Sequence, residues 1–158
     1  MIRRLTAAAL FLALAAPAAR AQSTANDERD AVLAVVRRVF DAMRTGDSAA
    51  ARSAFMPNAQ LATAVTRQGT PQLSIDSLES FIRFVGSPRQ DVVDERLRNE
   101  VVHIDGTLAV VWTEYSLYVG TRFSHCGVDA LQLARTADGW KIFSLADTRR
   151  RQGCPDQP

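Results

Sequence analysis

Long apolar runs are missing from this 158-residue sequence once its first stretch is set aside. Beyond "MIRRLTAAALFLALAAPAARA" no segment approaches the ~20 apolar residues that a transmembrane helix requires, which argues against a later membrane-spanning helix. The first stretch reads as a signal peptide over residues 1–21: Arg3 and Arg4 give a basic start, Leu5 to Ala16 an apolar middle, and Ala19-Arg20-Ala21 a small-residue cleavage site. An excess of charge is missing too. Removing that segment takes three arginines, leaving 16 basic residues against 17 acidic ones. A nearly neutral domain lacks the broad positive field that phosphate backbones select, and no nucleic-acid motif is present, so no nucleic-acid partner is expected. Only "TRRR", Thr148 to Arg151, is locally basic.

Cysteine is nearly absent. Cys126 and Cys154 do not have zinc-site spacing, so no metal site or cofactor is expected. In an exported chain, periplasmic or secreted, two such thiols pair as one disulfide. It would close a loop of nearly thirty residues, worth about 3–4 kcal/mol by chain entropy. Internal repeats and low-complexity linkers are also missing, which leaves one domain over residues 26–151, a leader at 22–25 expected to be flexible, and a tail at 152–158.

What is present is a clean change of period. Val32, Val35, Val36, Val39, Phe40 and Met43 follow helical spacing, with Asn26 placed to cap the start and Gly46 the end. Asp47 suits the cap of a short second helix, which Pro57 and Asn58 stop. "AQLATAVTRQGTPQLS" reads as a strand followed by a Gly69-Thr70-Pro71 turn. Asp76 and Glu79 have capping-box spacing ahead of a third helix carrying Leu78, Phe81, Ile82 and Val85. Four strands follow, over about Val92–Ile104, Leu108–Val119, Phe123–Thr136 and Trp140–Arg149, separated by Asp105-Gly106, Gly120-Thr121 and Asp138-Gly139. Helices first and hairpins after them imply an α+β domain with helices on one face of a mainly antiparallel sheet.

Two-residue turns at those positions set the register. They place Asn99 and Asp129 opposite Trp112, Leu97 opposite Glu114, Ser116 opposite His125, and Thr148 opposite Asp129. One face then gathers Asn99, Trp112, Glu114, Ser116, Tyr118, His125, Asp129 and Thr148 with apolar neighbours. Cys126, Tyr115 and Leu117 fall on the other face, and Asp147 and Arg149 share it, where they read as a structural salt bridge. A slip of one residue at Gly120-Thr121 would exchange the two assignments.

The helix leading into "FDAMRTGDSAAARSAF", the order of elements, and the closing hairpin "DGWKIFSLADT" resemble the nuclear transport factor 2-like superfamily over the whole mature chain, and in general appearance its secreted, lumazine-binding-like branch. The resemblance implies a cone-shaped curved sheet wrapped around a long helix, an interior cavity for a small hydrophobic or mixed-polarity molecule, and a homodimer through the outer sheet face. Ketosteroid isomerases, dehydratases, hydrolases and cyclases share that fold with proteins that only bind, so no catalytic residue is carried over from any of them.

On the predicted face, His125 and Glu114 form the expected acid–base pair. Asp129 is further along the strand, about 13 Å from His125 at roughly 3.3 Å per residue. Trp112, Asn99, Tyr118, Ser116 and Thr148 are the expected ligand contacts. Such a set could move a proton on a bound carbonyl or hydroxyl compound in an isomerase, dehydratase or hydrolase. It could equally be a buried hydrogen-bond network that specifies the fold. The alternative from another class is a non-catalytic interaction module working through the outer sheet face.

Overall fold

The computed structural model describes residues 16–155, with side chains from Ala25 onward. Helix α1 (Ala16–Thr45) and helix α2 (Ser48–Ser53) precede a hairpin of β1 (Phe55–Arg67) and β2 (Thr70–Ser77), helix α3 (Leu78–Gly86), and strands β3 (Val93–Asp105), β4 (Leu108–Val119), β5 (Arg122–Thr136) and β6 (Gly139–Thr148). The strands form one sheet in the order β2-β1-β6-β5-β4-β3, antiparallel except for the β1–β6 pair. This is the expected α+β architecture, a curved, unclosed sheet with its helices on the concave side.

Every apolar position in the predicted α1 stripe is buried, from Val32 to Met43, and α1 packs on α2, β3 and β6. Its lower boundary differs from the sequence reading. Asn26 lies inside the helix instead of capping it, and residues 22–25 are helical. Alanine-rich sequence with no glycine or proline between Ala18 and Met43 has no reason to interrupt the helix. The expected signal peptide falls largely outside the described residues. At the other end Gly46 adopts φ 75°, and the Asp47 carboxylate accepts from the Ala50 amide at 2.9 Å to cap α2, both as expected. The cap of α3 is Ser77, whose hydroxyl accepts from the Ser80 amide at 3.1 Å. Asp76 is still paired with Leu61 in the sheet, so the capping-box reading one residue earlier does not hold.

Strand β2 is a correction too. The turn expected at Gly69-Thr70-Pro71 falls instead at Gln68-Gly69, both with positive φ, and Pro71 pairs within an edge strand. At an edge, proline's missing N–H can face away from the ladder.

The C-terminal segment folds back over the convex face. Arg150 exchanges two backbone hydrogen bonds with Cys126, at 3.0 and 2.9 Å, and Cys126 is bridged to Cys154. Cys126 therefore points away from the concave face, as expected, and the segment buries it together with Ser116.

Candidate functional site

Three β-bulges decide which side chains reach the concave face. The first turn is at Gly106-Thr107, one residue later than expected, and Asn99-Glu100 then oppose Thr113 alone, with Asn99 at φ 56°. The second begins in the expected register, Tyr118 opposite Phe123, but Ser124 is an extra residue and brings Leu117 opposite His125. In the third, Phe143 is the extra residue between the Leu133–Ile142 and Gln132–Ser144 pairs. One added residue reverses the facing of everything beyond it.

His125 and Asp129 consequently share the concave face with Val93, Glu95, Tyr115, Leu117, Asp147 and Arg149. The other residues expected in the cavity are not in its wall. Glu114 is half-exposed on the convex side and accepts from Arg98 Nε at 3.1 Å, so it does not pair with His125. Ser116 accepts from Arg98 Nη1 beneath the C-terminal segment. Trp112 is 53% exposed, Asn99 is exposed in its bulge, and Tyr118 packs on Phe123 and under Arg96. Thr148 is exposed, its hydroxyl accepting from the Val128 amide. Conversely, Tyr115, Asp147 and Arg149, assigned to the other face by sequence, belong to the cavity.

The cavity measures about 540 Å³ between the sheet, α1 and α3. Val39, Phe40 and Met43 from α1, Phe81 and Phe84 from α3, and Leu61, Leu117 and Leu145 from the sheet make most of it apolar. Its polar end lies where β3, β4, β5 and β6 run side by side. Asp147 is fixed there by Arg149 Nε at 2.6 Å and by the Thr63 hydroxyl at 2.6 Å, and Arg149 also donates to Thr63. The Tyr115 hydroxyl donates to the Thr148 carbonyl at 2.9 Å. Burial first, and then the carboxylates of Glu95, Asp147 and Asp129, raise its pKa, so it stays a donor.

Asp129 is the centre of this arrangement. It is 2% exposed, and apart from the Glu95 carboxyl no group donates to its Oδ2. Burial raises its pKa to about 7; the Glu95 carboxyl, hydrogen-bonded to it, favours its ionised form, and Asp147 opposes that. Glu95 is pushed well above the usual carboxylate range by burial and by the adjacent Asp129. Two carboxyls this close in low dielectric share a proton, with Glu95 the donor and Asp129 the acceptor. His125, edge-on to the Tyr115 ring with centroids 5.7 Å apart, has its pKa lowered by burial and by Arg149, and it is neutral at physiological pH. Its Nδ1 is 3.0 Å from the Ser124 hydroxyl. Among the described residues no cluster of three or more His, Cys, Asp or Glu side chains could hold a metal ion.

Gly127, between His125 and Asp129, has a steric reason. A methyl group on it would lie 1.8 Å from the Thr148 carbonyl oxygen and 2.7 Å from the Tyr115 ring. The strand needs a residue without a side chain there for Tyr115 to cross it.

A sequence profile for the family described as "Putative lumazine-binding" matches residues 27–146, most of the chain. The chain belongs to this family. The match sits within the nuclear transport factor 2-like superfamily, consistent with the solved structures it resembles. One is an NTF2-like protein with a cystatin-like fold from Novosphingobium aromaticivorans, at 12% identity over 87% of this chain and 90% of that one, TM-score 0.67. A function-unknown protein from Mycobacterium tuberculosis aligns at 13% identity over 87% and 78% of the two chains, TM-score 0.66. A putative dehydratase from the NTF2-like family of Streptomyces avermitilis aligns at 16% identity over 79% and 97%, TM-score 0.59. At these identities the likeness is one of fold. A comparison with curated protein sequences gives no significant match.

Proposed function

We propose that this lumazine-binding-like protein is an exported small-molecule-binding protein that exchanges a proton with its ligand at the Glu95–Asp129 pair. The observation that carries this reading is Asp129, a buried carboxyl in the lining of a ligand-sized cavity, to whose Oδ2 nothing but the Glu95 carboxyl donates. Buried polar atoms are almost always satisfied, so a cavity-lining carboxyl this poorly supplied with donors suits a ligand donor. An acid whose pKa is near neutrality can both give and take a proton at small cost. Apolar walls and one polar end suit a mixed-polarity molecule. The chemistry available is acid–base, of isomerase, dehydratase or hydrolase type, with Asp129 as the exchanging group, Tyr115 and Arg149 holding the polar end, and His125 neutral beside them. The family description makes lumazine a first compound to try. Export rests on the signal-peptide pattern of residues 1–21.

Native mass spectrometry of protein purified from its own host tests the binding reading. The expected result is a non-covalent adduct released on denaturation and reduced in Asp129→Asn. Bare protein that also gains no thermal stability from lumazine or a small-molecule panel would overturn it.

A second reading has its own observation. Val101, Val110 and Trp112 expose apolar surface side by side on the convex face, at 47%, 36% and 53%. A homodimer through this face would cover them. Sedimentation of wild type and Trp112→Glu decides it, since a monomer in both leaves this reading without support.

A further inference from the structure

We propose that the ligand presents a protonated basic nitrogen to Asp129, so that the cavity selects organic cations with an apolar body. This inference rests on the binding reading above and specifies the ligand's polar end.

The charged and titratable groups around Asp129 come from every strand packed against it. Glu95 faces it from β3, Tyr115 from β4, His125 lies on β5 with it, and Asp147 and Arg149 stand on β6. Asp76 lines the cavity from β2, and the α1 residues there, Val39, Phe40 and Met43, carry no charge. Among these lining groups the one permanent cation is Arg149. Its charge is already directed at Asp147, with Nε and Nη2 on the two carboxylate oxygens at 2.6 and 3.4 Å. Asp129 has no cation of its own when it ionises: the Glu95 hydrogen bond and the charge of Arg149, which is engaged by Asp147, offset burial only in part, and its pKa stays raised.

The three ligand charge types therefore meet the site differently. An anion would add to Glu95, Asp129 and Asp147. A neutral hydroxyl satisfies Oδ2 but does not relieve the repulsion from Asp147. A cation does both, because the ionised Asp129 accepts from it while Glu95 retains its proton and continues to donate to Asp129. A hydrogen bond between two charged groups is also roughly twice as strong as a neutral one. No carboxylate set suited to a metal ion is formed among the described residues, so the matching cation is organic. The apolar remainder of the cavity, including Phe40 and Phe81, takes the ligand body. Binding of the pre-protonated ligand releases the proton that Asp129 holds, so affinity rises with pH through neutrality.

The probes are three compounds with one body, 2-naphthylmethylamine, 2-naphthalenemethanol and 2-naphthoate, titrated by calorimetry into the mature protein. At about pH 8 the amine is expected to bind about tenfold tighter than the alcohol, the equivalent of one charge-assisted hydrogen bond, and the naphthoate weakest. At about pH 5.5, with the amine still protonated and Asp129 neutral, the preference falls to within about threefold. Asp129→Asn removes the preference at both pH values, and Glu95→Gln, which retains a donor to Asp129, keeps it. Thermal unfolding verifies that both variants are folded, and the wild-type pH series stands without either. Tightest binding by the alcohol or the naphthoate at about pH 8, or an amine preference that grows on acidification, overturns the cation assignment and leaves the binding reading in place. No binding by any of the three overturns both.

Discussion

Tyr115 lies across Gly127 on the neighbouring strand, and the gap left by the missing side chain lets its hydroxyl reach the Thr148 carbonyl at 2.9 Å. The ring thereby forms one wall of the polar end and holds β6 at the position from which Asp147 and Arg149 project. Gly127→Ala is expected to destabilise the protein by at least about 2 kcal/mol, because both neighbours must move for the methyl group. Tyr115→Phe, which keeps the ring and loses the donor, costs about 1 kcal/mol. Urea denaturation of the two variants checks the order, and equal effects would contradict it.

The carboxyl pair makes stability depend on pH in a defined direction. An acid held at about 7 in the folded chain and near 3.8 when unfolded keeps its proton longer in the folded state. Folding stability therefore falls as pH rises between those values, and the penalty is complete above about pH 7. Glu95, also raised, acts in the same direction. Wild type should lose several kcal/mol between about pH 4 and pH 8 from this pair, and Asp129→Asn should lose less. Denaturation midpoints across that range for both proteins give the comparison.

Glu114 and Asp129 are expected to separate cleanly. Glu114→Gln weakens a half-exposed pair with Arg98 and should change stability by no more than about 0.5 kcal/mol. It should leave binding of 2-naphthylmethylamine unchanged, whereas Asp129→Asn reduces it. Calorimetry on the two variants is sufficient, and a loss of binding in Glu114→Gln would place the site on the wrong side of the sheet.

Reduction of the Cys126–Cys154 bridge should cost about 3–4 kcal/mol and release the segment that covers Ser116. Intact mass after alkylation, before and after reductant, counts the thiols. Two thiols alkylated without reductant in exported protein would remove the prediction.

The elements were largely legible because each is written in local periodicity. The α1 stripe, the Asp47 cap and the four long strands need only their own residues to declare themselves. The facing of those strands was not legible. Register was propagated from turns as though every strand were regular, but Ser124, Asn99-Glu100 and Phe143 each add a bulge with no strong mark in the sequence. Asn99 is the partial exception, since asparagine tolerates positive φ better than most residues. His125 and Asp129 were found because polar groups in an apolar strand ask for a reason. Asp147 in "KIFSLADT" gives the same signal, but the unshifted register puts it on the opposite face of the sheet. Glu95 lies in the charged stretch "DERLR", where no single carboxylate stands out.

Strand β2 has a consequence for how a molecule reaches Asp129. It pairs with β1 alone, every one of its residues is exposed, and it carries Asp76 at the cavity before running directly into α3. Its ladder can part without uncovering the α1 core, so its amides should exchange with solvent deuterium well ahead of those in β4 and β5. The rate at which a ligand arrives and leaves would then be set by the excursions of this one hairpin, and a bound ligand would register first as slowed exchange along it.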